Sequence, residues 1–170
     1  MPTDEVLVAQ VAAGDEAALR ALMRRWERPL AHVIYRHTGG RDVEDLYQDT
    51  WWRVVRGAPQ FDAGRRFSTW LFQIAINCCR DWYRRRPPEA AESAEGSAPV
   101  DEHTDAALDV AALLRHLAEP QREVVVLRYL RGMSEEEMAG VLGIPRGTVK
   151  SRLHHALARL NALAVARDTR

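Results

Sequence analysis

The sequence predicts an all-α protein built from two small helical domains joined by a flexible acidic linker. Three observations carry that expectation. Apolar residues recur with a period near 3.6 along nearly all of the 170 residues, and no convincing alternating strand appears. The stretch from Pro87-Pro88 to about Thr104 is rich in Ala, Glu, Ser, Gly and Pro, a composition that cannot bury enough apolar surface to order itself. Charge also segregates: 24 Lys+Arg balance 24 Asp+Glu, yet 67–88 and 120–170 are basic while 89–119 hold eight acids and a single arginine. The implied domains are 1–86 and 105–170, with 87–104 as the linker.

The elements follow in order. Residues 4–13 and 15–37 give two helical segments with Leu7, Val11, Leu19, Leu22, Met23, Trp26, Leu30, Val33 and Ile34 as apolar positions, and Thr38-Gly39-Gly40 breaks the pattern. The next helix runs from about 41 to 56. Val43, Leu46, Tyr47, Trp51, Val54 and Val55 make its core stripe, and Asp45, Gln48, Asp49 and Arg56 surround Trp52 on the far side. A tryptophan amid polar residues has two readings. It is covered by the following loop or the N-terminal helices, or it anchors a docking face for another protein.

Gly57 and Pro59 open a loop through Gly64, and a helix runs from about 67 to 86. Its expected core stripe is Phe67, Trp70, Leu71, Ile74, Cys78 and Trp82. Gln73, Asn77, Arg80 and Arg84 line one flank beside Tyr83 and the Arg65-Arg66 loop. Cations, amides and an aromatic together are the elements that hold single-stranded nucleic acid, although a solvated arginine-rich helix end has the same look.

Helices resume at about 105–118, 120–130, 135–142 and 145–165. Residues 134–160 carry the most specific pattern in the chain, a helix-turn-helix. Ser134 and Glu137 have capping-box spacing, Met133 and Met138 stand at the hydrophobic-staple positions, and Gly143 supplies a left-handed stop. Pro145 suits the first turn of a following helix. On that helix Val149, Leu153, Ala156, Leu157 and Leu160 fall on one stripe. The opposite face collects Gly147, Ser151, His154, His155 and Ala158, with Thr148, Lys150 and Arg152 on its flanks; with Arg146 the polar and charged ones form the candidate reading set, where cations suit phosphates and short polar groups suit base edges. DNA is the partner this arrangement implies.

Other classes find little support. Adjacent Cys78 and Cys79 on a helix point about 100° apart, so buried thiols are favoured over a vicinal redox pair or a structural disulfide. There is no signal peptide and no apolar run of about 18 residues, which points to a cytoplasmic protein without membrane insertion. No nucleophile elbow, phosphate loop or metal-ligand spacing is present, so neither an enzyme nor a cofactor is expected.

Two stretches, Asp42-Val-Glu-Asp-Leu-Tyr-Gln-Asp-Thr-Trp-Trp-Arg-Val-Val and Phe67-Ser-Thr-Trp-Leu-Phe-Gln-Ile-Ala-Ile-Asn-Cys-Cys-Arg-Asp-Trp-Tyr-Arg-Arg-Arg, resemble the second conserved domain of bacterial sigma factors. Pro120 through Leu160 resembles their fourth domain, and the two-domain layout resembles the extracytoplasmic-function (ECF) group. The resemblance implies that the face with Asp45, Gln48, Asp49, Trp52 and Arg56 docks on the β′ clamp coiled coil of core RNA polymerase. Arg65, Arg66, Gln73, Asn77, Arg80, Tyr83 and Arg84 would then engage the −10 element of promoter DNA, and the 145–160 helix the −35 element. It also implies the β flap of the polymerase and an anti-sigma factor as partners. Relatives often carry Arg where His155 stands, and an imidazole cannot clasp guanine two-pronged, so no −35 sequence preference carries over. A stand-alone helix-turn-helix regulator with an N-terminal sensor or dimerisation domain is the alternative.

Overall fold

The computed structural model describes residues 1–86, 110 and 112–168. The expected linker at 87–104 and the start of the expected helix at 105 lie outside the described residues. Helices α1 (Asp4–Ala12), α2 (Glu16–Thr38), α3 (Val43–Gly57) and α4 (Phe67–Arg84) form the first module, with a 3-10 turn at Ala58–Gln60. Helices α5 (Glu119–Arg131), α6 (Glu135–Leu142) and α7 (Arg146–Asp168) form the second, preceded by helical residues at 112–115. No strand occurs among the described residues.

Local chemistry sets the ends. The Asp15 carboxylate accepts the Ala17 and Ala18 amides at 2.8 and 3.1 Å to start α2, and Gly39 ends it in the left-handed region at φ 68°. Helix α4 has no cap of its own. Glu5 on α1 supplies one from a distance: its Oε1 accepts the Phe67 amide at 3.0 Å, and this bond holds the Glu5 carboxyl below its ordinary pKa. The capping box of α6 is complete. Glu137 N–H donates to Ser134 Oγ at 3.1 Å and Ser134 N–H to Glu137 Oε2 at 2.9 Å.

Gly57 stands where a side chain would collide. A Cβ there would lie 2.9 Å from Trp70 Cζ2. Trp70 in turn lies tilted against Phe61 at 4.9 Å between centroids, so the loop entering α4 rests on an aromatic base.

One core cluster lies within the first module, among Leu22, Leu30, Trp51, Val54, Phe67 and Leu71. The second joins the modules. Val33, Phe72 and Ile76 of the first pack with Val124, Leu127, Met138, Val141 and Val149 of the second. Helix α4 is therefore buried on two sides, not along one stripe: Phe67, Leu71, Cys78 and Cys79 pack in the first cluster, Phe72 and Ile76 in the second. Leu157, expected in the α7 core stripe, is 38% exposed, while Leu153 and Leu160 of the same stripe are partly buried against the second cluster.

Candidate nucleic-acid interface

Trp52 is 62% exposed, so neither the 57–66 loop nor the N-terminal helices cover it. Asp45, Gln48 and Arg56 around it are exposed, while Asp49 is half-buried and pairs with Arg53 at 3.0 Å. Gln48 donates weakly to Glu44 at 3.5 Å. The face is open, polar and centred on one large aromatic.

The flank of α4 is more crowded than its sequence suggests. Asn77 and Arg84 are exposed, and Arg84 pairs with Asp81. Arg65 donates to Gln73 Oε1 at 3.1 Å, joining loop to helix. Arg80, however, gives both arms of its guanidinium to Glu123 of α5, at 2.6 and 2.8 Å. Arg66 pairs with Glu137 of α6 at 2.7 Å, the same carboxylate that caps that helix. Both bonds hold the Glu137 carboxyl low, the Ser134 amide foremost. Tyr83 donates its hydroxyl to the His37 carbonyl at 2.7 Å, at the junction of the modules.

On α7, Arg146, Lys150, Ser151, His154 and His155 are exposed and Thr148 is half-buried. Arg146 pairs with Glu135 at 3.0 Å across the turn, and Ser151 donates its hydroxyl to the Thr148 carbonyl at 3.1 Å. The His154 and His155 rings stand 5.8 Å apart. Gly143 makes the turn at φ 66°, and the Pro145 carbonyl accepts the Thr148 and Val149 amides at 2.9 and 3.2 Å. Arg152 points elsewhere. It lies 3.9 Å from Glu123 and lines a cleft of about 840 Å³ between α4 and the helix-turn-helix, with Asn77, Arg80 and Glu119. Burial, then the Glu123 carboxylate, pushes the Glu119 carboxyl up.

Sequence reasoning missed two residues at this junction. Arg122 of α5 donates to the Leu114 and Leu117 carbonyls at 3.0 Å each, to the His37 carbonyl at 2.8 Å, and to the Tyr83 hydroxyl. Arg131 lies over Phe72 at 5.2 Å and Trp26 at 5.9 Å, and burial lowers its pKa. Nothing periodic marks either arginine; the aromatics that receive Arg131 are 59 and 105 positions away in the chain, counting from 131 back to 72 and 26.

Cys78 and Cys79 are buried free thiols, as the sequence favours. Burial pushes Cys78 up to about 11 and Cys79 higher still, so neither carries a thiolate near neutral pH. Among the described residues, no helix is long and apolar enough to cross a membrane, and no cluster of His, Cys, Asp and Glu could hold a metal ion.

Comparison with known proteins finds two family models in order along the chain: Sigma-70 region 2 over residues 22–87 and Sigma-70, region 4 over residues 107–160. The ECF RNA polymerase sigma-E factor of Haemophilus influenzae is 30% identical over 172 residues, covering 91% of each chain. Its counterpart in Escherichia coli K12 is 32% identical, covering 91% of this chain and 90% of its own. Among solved structures, CnrH in complex with the cytosolic domain of CnrY matches with a TM-score of 0.76 and 36% identity, covering 96% of this chain and 97% of that one. The sigma factor RpoE, in complex with the anti-sigma factor NepR from Bartonella quintana, matches at 0.74 and 26%, covering 85% and 95%.

Proposed function

The chain belongs to the ECF group of sigma-70 RNA polymerase sigma factors, and from that premise we propose how its two modules, 1–86 and 105–170, divide promoter recognition. It is a dissociable initiation subunit that brings core RNA polymerase to specific promoters and aids −10 melting. It contributes recognition rather than catalysis, and it works in the cytoplasm, where polymerase and chromosome are.

The α3 face of Asp45, Gln48, Asp49, Trp52 and Arg56 docks on the β′ clamp coiled coil. What supports this is the exposed Trp52, the residue type that dominates protein interfaces once desolvated. The loop at 58–66 and the α4 strip of Arg65, Arg66, Gln73, Asn77, Arg80, Tyr83 and Arg84 engage the −10 element. Extracting a base there costs a few kcal/mol of stacking, which a pocket must offset. The α7 face of Arg146, Thr148, Lys150, Ser151, Arg152, His154 and His155 reads the −35 duplex, with the β flap supporting its module. Each contact set alone is modest; tethering makes the second engagement intramolecular, which suits a protein of zero net charge. An anti-sigma factor is the expected inhibitor.

The observation that carries the reading is the capped helix-turn-helix whose second helix leaves five polar reading residues, Arg146, Lys150, Ser151, His154 and His155, open to solvent. Run-off transcription with core polymerase tests it, on templates enriched from a random-sequence library by the reconstituted holoenzyme. Promoter-dependent transcripts are expected, and Asn77→Ala should reduce −10 melting while sparing core affinity. A chain that binds duplex tightly alone yet directs no initiation would instead be a stand-alone regulator.

A further inference from the structure

Helix α4 begins at a residue that cannot cap it. The position before its first turn is Arg66, a side chain with donors only, where Ser, Thr, Asp or Asn would ordinarily accept an amide. Arg66 is exposed and belongs to the cations assigned to the −10 strand, so the cap position is spent on a charge for DNA. The missing acceptor comes from another helix. Glu5 on α1, 62 positions away, takes the Phe67 amide at 3.0 Å. The Phe67 amide foremost, with the Arg66 guanidinium adding to it, holds the Glu5 carboxyl low.

That bond fixes more than a helix end. The 58–66 loop enters over α1, where Leu7, Val8 and Val11 share a core cluster with Ala58, and Phe61 packs against it. Its tip is a turn made by Asp62, whose carboxylate accepts the Gly64 amide and whose carbonyl accepts the Arg65 amide, each at 2.9 Å. Its exit is the step from Arg66 to Phe67, where the ring is fully buried and the amide is tied to Glu5. Helix α1 thus holds the loop at both ends, by packing at the entrance and by a charge-assisted hydrogen bond at the exit. The helix is itself anchored: Asp4 pairs with Arg25 and accepts the Trp26 indole N–H at 3.1 Å, and Trp26 stands edge-on to Phe67 at 6.1 Å.

We propose that Glu5 is a positioning residue for −10 recognition: by fixing where the loop leaves α1, it sets the gap between the loop and the Asn77 strip that a base must fill. Arg65, bonded to Gln73 of that strip, carries any shift of the exit across the gap. A site discriminates only while its walls hold their separation. The inference rests on the assignment of the loop and strip to the −10 element, and its test is arranged so that the two can fail separately.

Holoenzyme reconstituted from the full-length chain is titrated with two fork-junction templates. One carries the library-selected −10 sequence on its non-template strand; the other is identical except that this sequence is scrambled. Glu5→Ala should weaken binding of the matched template about tenfold, the scale of one hydrogen bond to a charged group. Binding of the scrambled template and of core polymerase should not change. Glu5→Gln keeps an acceptor oxygen at the same reach and should return most of the discrimination. A merely structural cap would lower the affinity for both templates alike.

Unchanged discrimination in Glu5→Ala, or equal losses on the two templates, overturns the positioning role and leaves the −10 assignment standing. A Glu5→Gln chain as poor as Glu5→Ala overturns the hydrogen bond as its cause. A wild-type holoenzyme that binds both templates equally overturns the −10 assignment and the positioning role with it. Should Glu5→Ala fail to fold, Glu5→Asp decides the matter. It keeps the charge but withdraws the acceptor by one methylene, so reduced discrimination is expected and full discrimination overturns the role.

Discussion

Acidification should loosen this protein through one residue, His37. The imidazole sits at the end of α2, fully buried, with no hydrogen-bond partner for either ring nitrogen. Burial, reinforced by the Arg122 and Arg80 guanidiniums, pushes its pKa from 6.5 down to about 3. Unfolding returns it to about 6.5. Between those values the unfolded chain binds a proton that the folded chain refuses, so stability is full above about pH 6.5 and falls as the pH drops. At pH 5 the unfolded imidazole is almost wholly protonated and the folded one neutral. The lost stability works out at about 2 kcal/mol relative to pH 7.5, using about 1.36 kcal/mol per unit of the window crossed. Urea unfolding followed by circular dichroism at both pH values, on the wild type and on His37→Phe, measures it. Phenylalanine keeps a flat ring in the hole and removes the titration, while carboxylates held low, such as Glu5 and Glu137, contribute equally to both proteins and cancel. The wild type should lose about 2 kcal/mol more than the variant. Equal losses would mean that the folded imidazole accepts a proton normally, and the dry, unpartnered placement of His37 would be wrong.

Four further outcomes follow from single side chains. Trp52→Ala should leave the urea midpoint nearly unchanged, within about 0.5 kcal/mol for an exposed site, yet cost about 2 kcal/mol or more of core polymerase affinity; unchanged affinity in a binding titration would remove Trp52 from the docking face. Gly57→Ala must displace Trp70, so a loss of about 1–3 kcal/mol and a red-shifted tryptophan emission are expected, and native emission would refute the close approach. Arg122→Ala removes the guanidinium from the Leu117 carbonyl and one of two donors from each of the Leu114 and His37 carbonyls, and should cost about 1–3 kcal/mol, with an effect under about 0.5 kcal/mol showing that water replaces the guanidinium. Cys78 and Cys79 should react slowly with Ellman's reagent in the native protein and fast in urea; rapid native labelling would contradict their burial.

The elements were legible because their signals are local. Capping residues, the glycine stops at Gly39 and Gly143, and 3.6-residue periodicity all act within a turn or two, and the observed helix ends fall within about two residues of expectation for α1 to α6. The exposed faces of α3 and α7 were legible for the same reason, Trp52 included. What the sequence hid is the seam. Phe72 and Ile76 follow helical spacing, 4 residues apart, but so does the other stripe of α4, and a helix apolar on two sides has meaning only once its second neighbour is known. The partners of Arg80 and Arg66 lie 43 and 71 residues away, and no period connects them. Read alone, each is a solvated arginine on a basic helix end. Together with Glu123 and Glu137 they join the two modules.

The chemistry of that seam sets its depth. An entirely apolar seam between the modules would gain about 25 cal/mol for every Å² it buries and would stay shut whatever DNA was near. This seam is edged by Arg80–Glu123 and Arg66–Glu137, and Arg131 lies over its aromatics with one nitrogen unpartnered. A desolvated ion pair roughly breaks even, because attraction is offset by the water both charges lose. The exposed Arg66 pair adds little more. A seam held this way is specific in register yet shallow in depth.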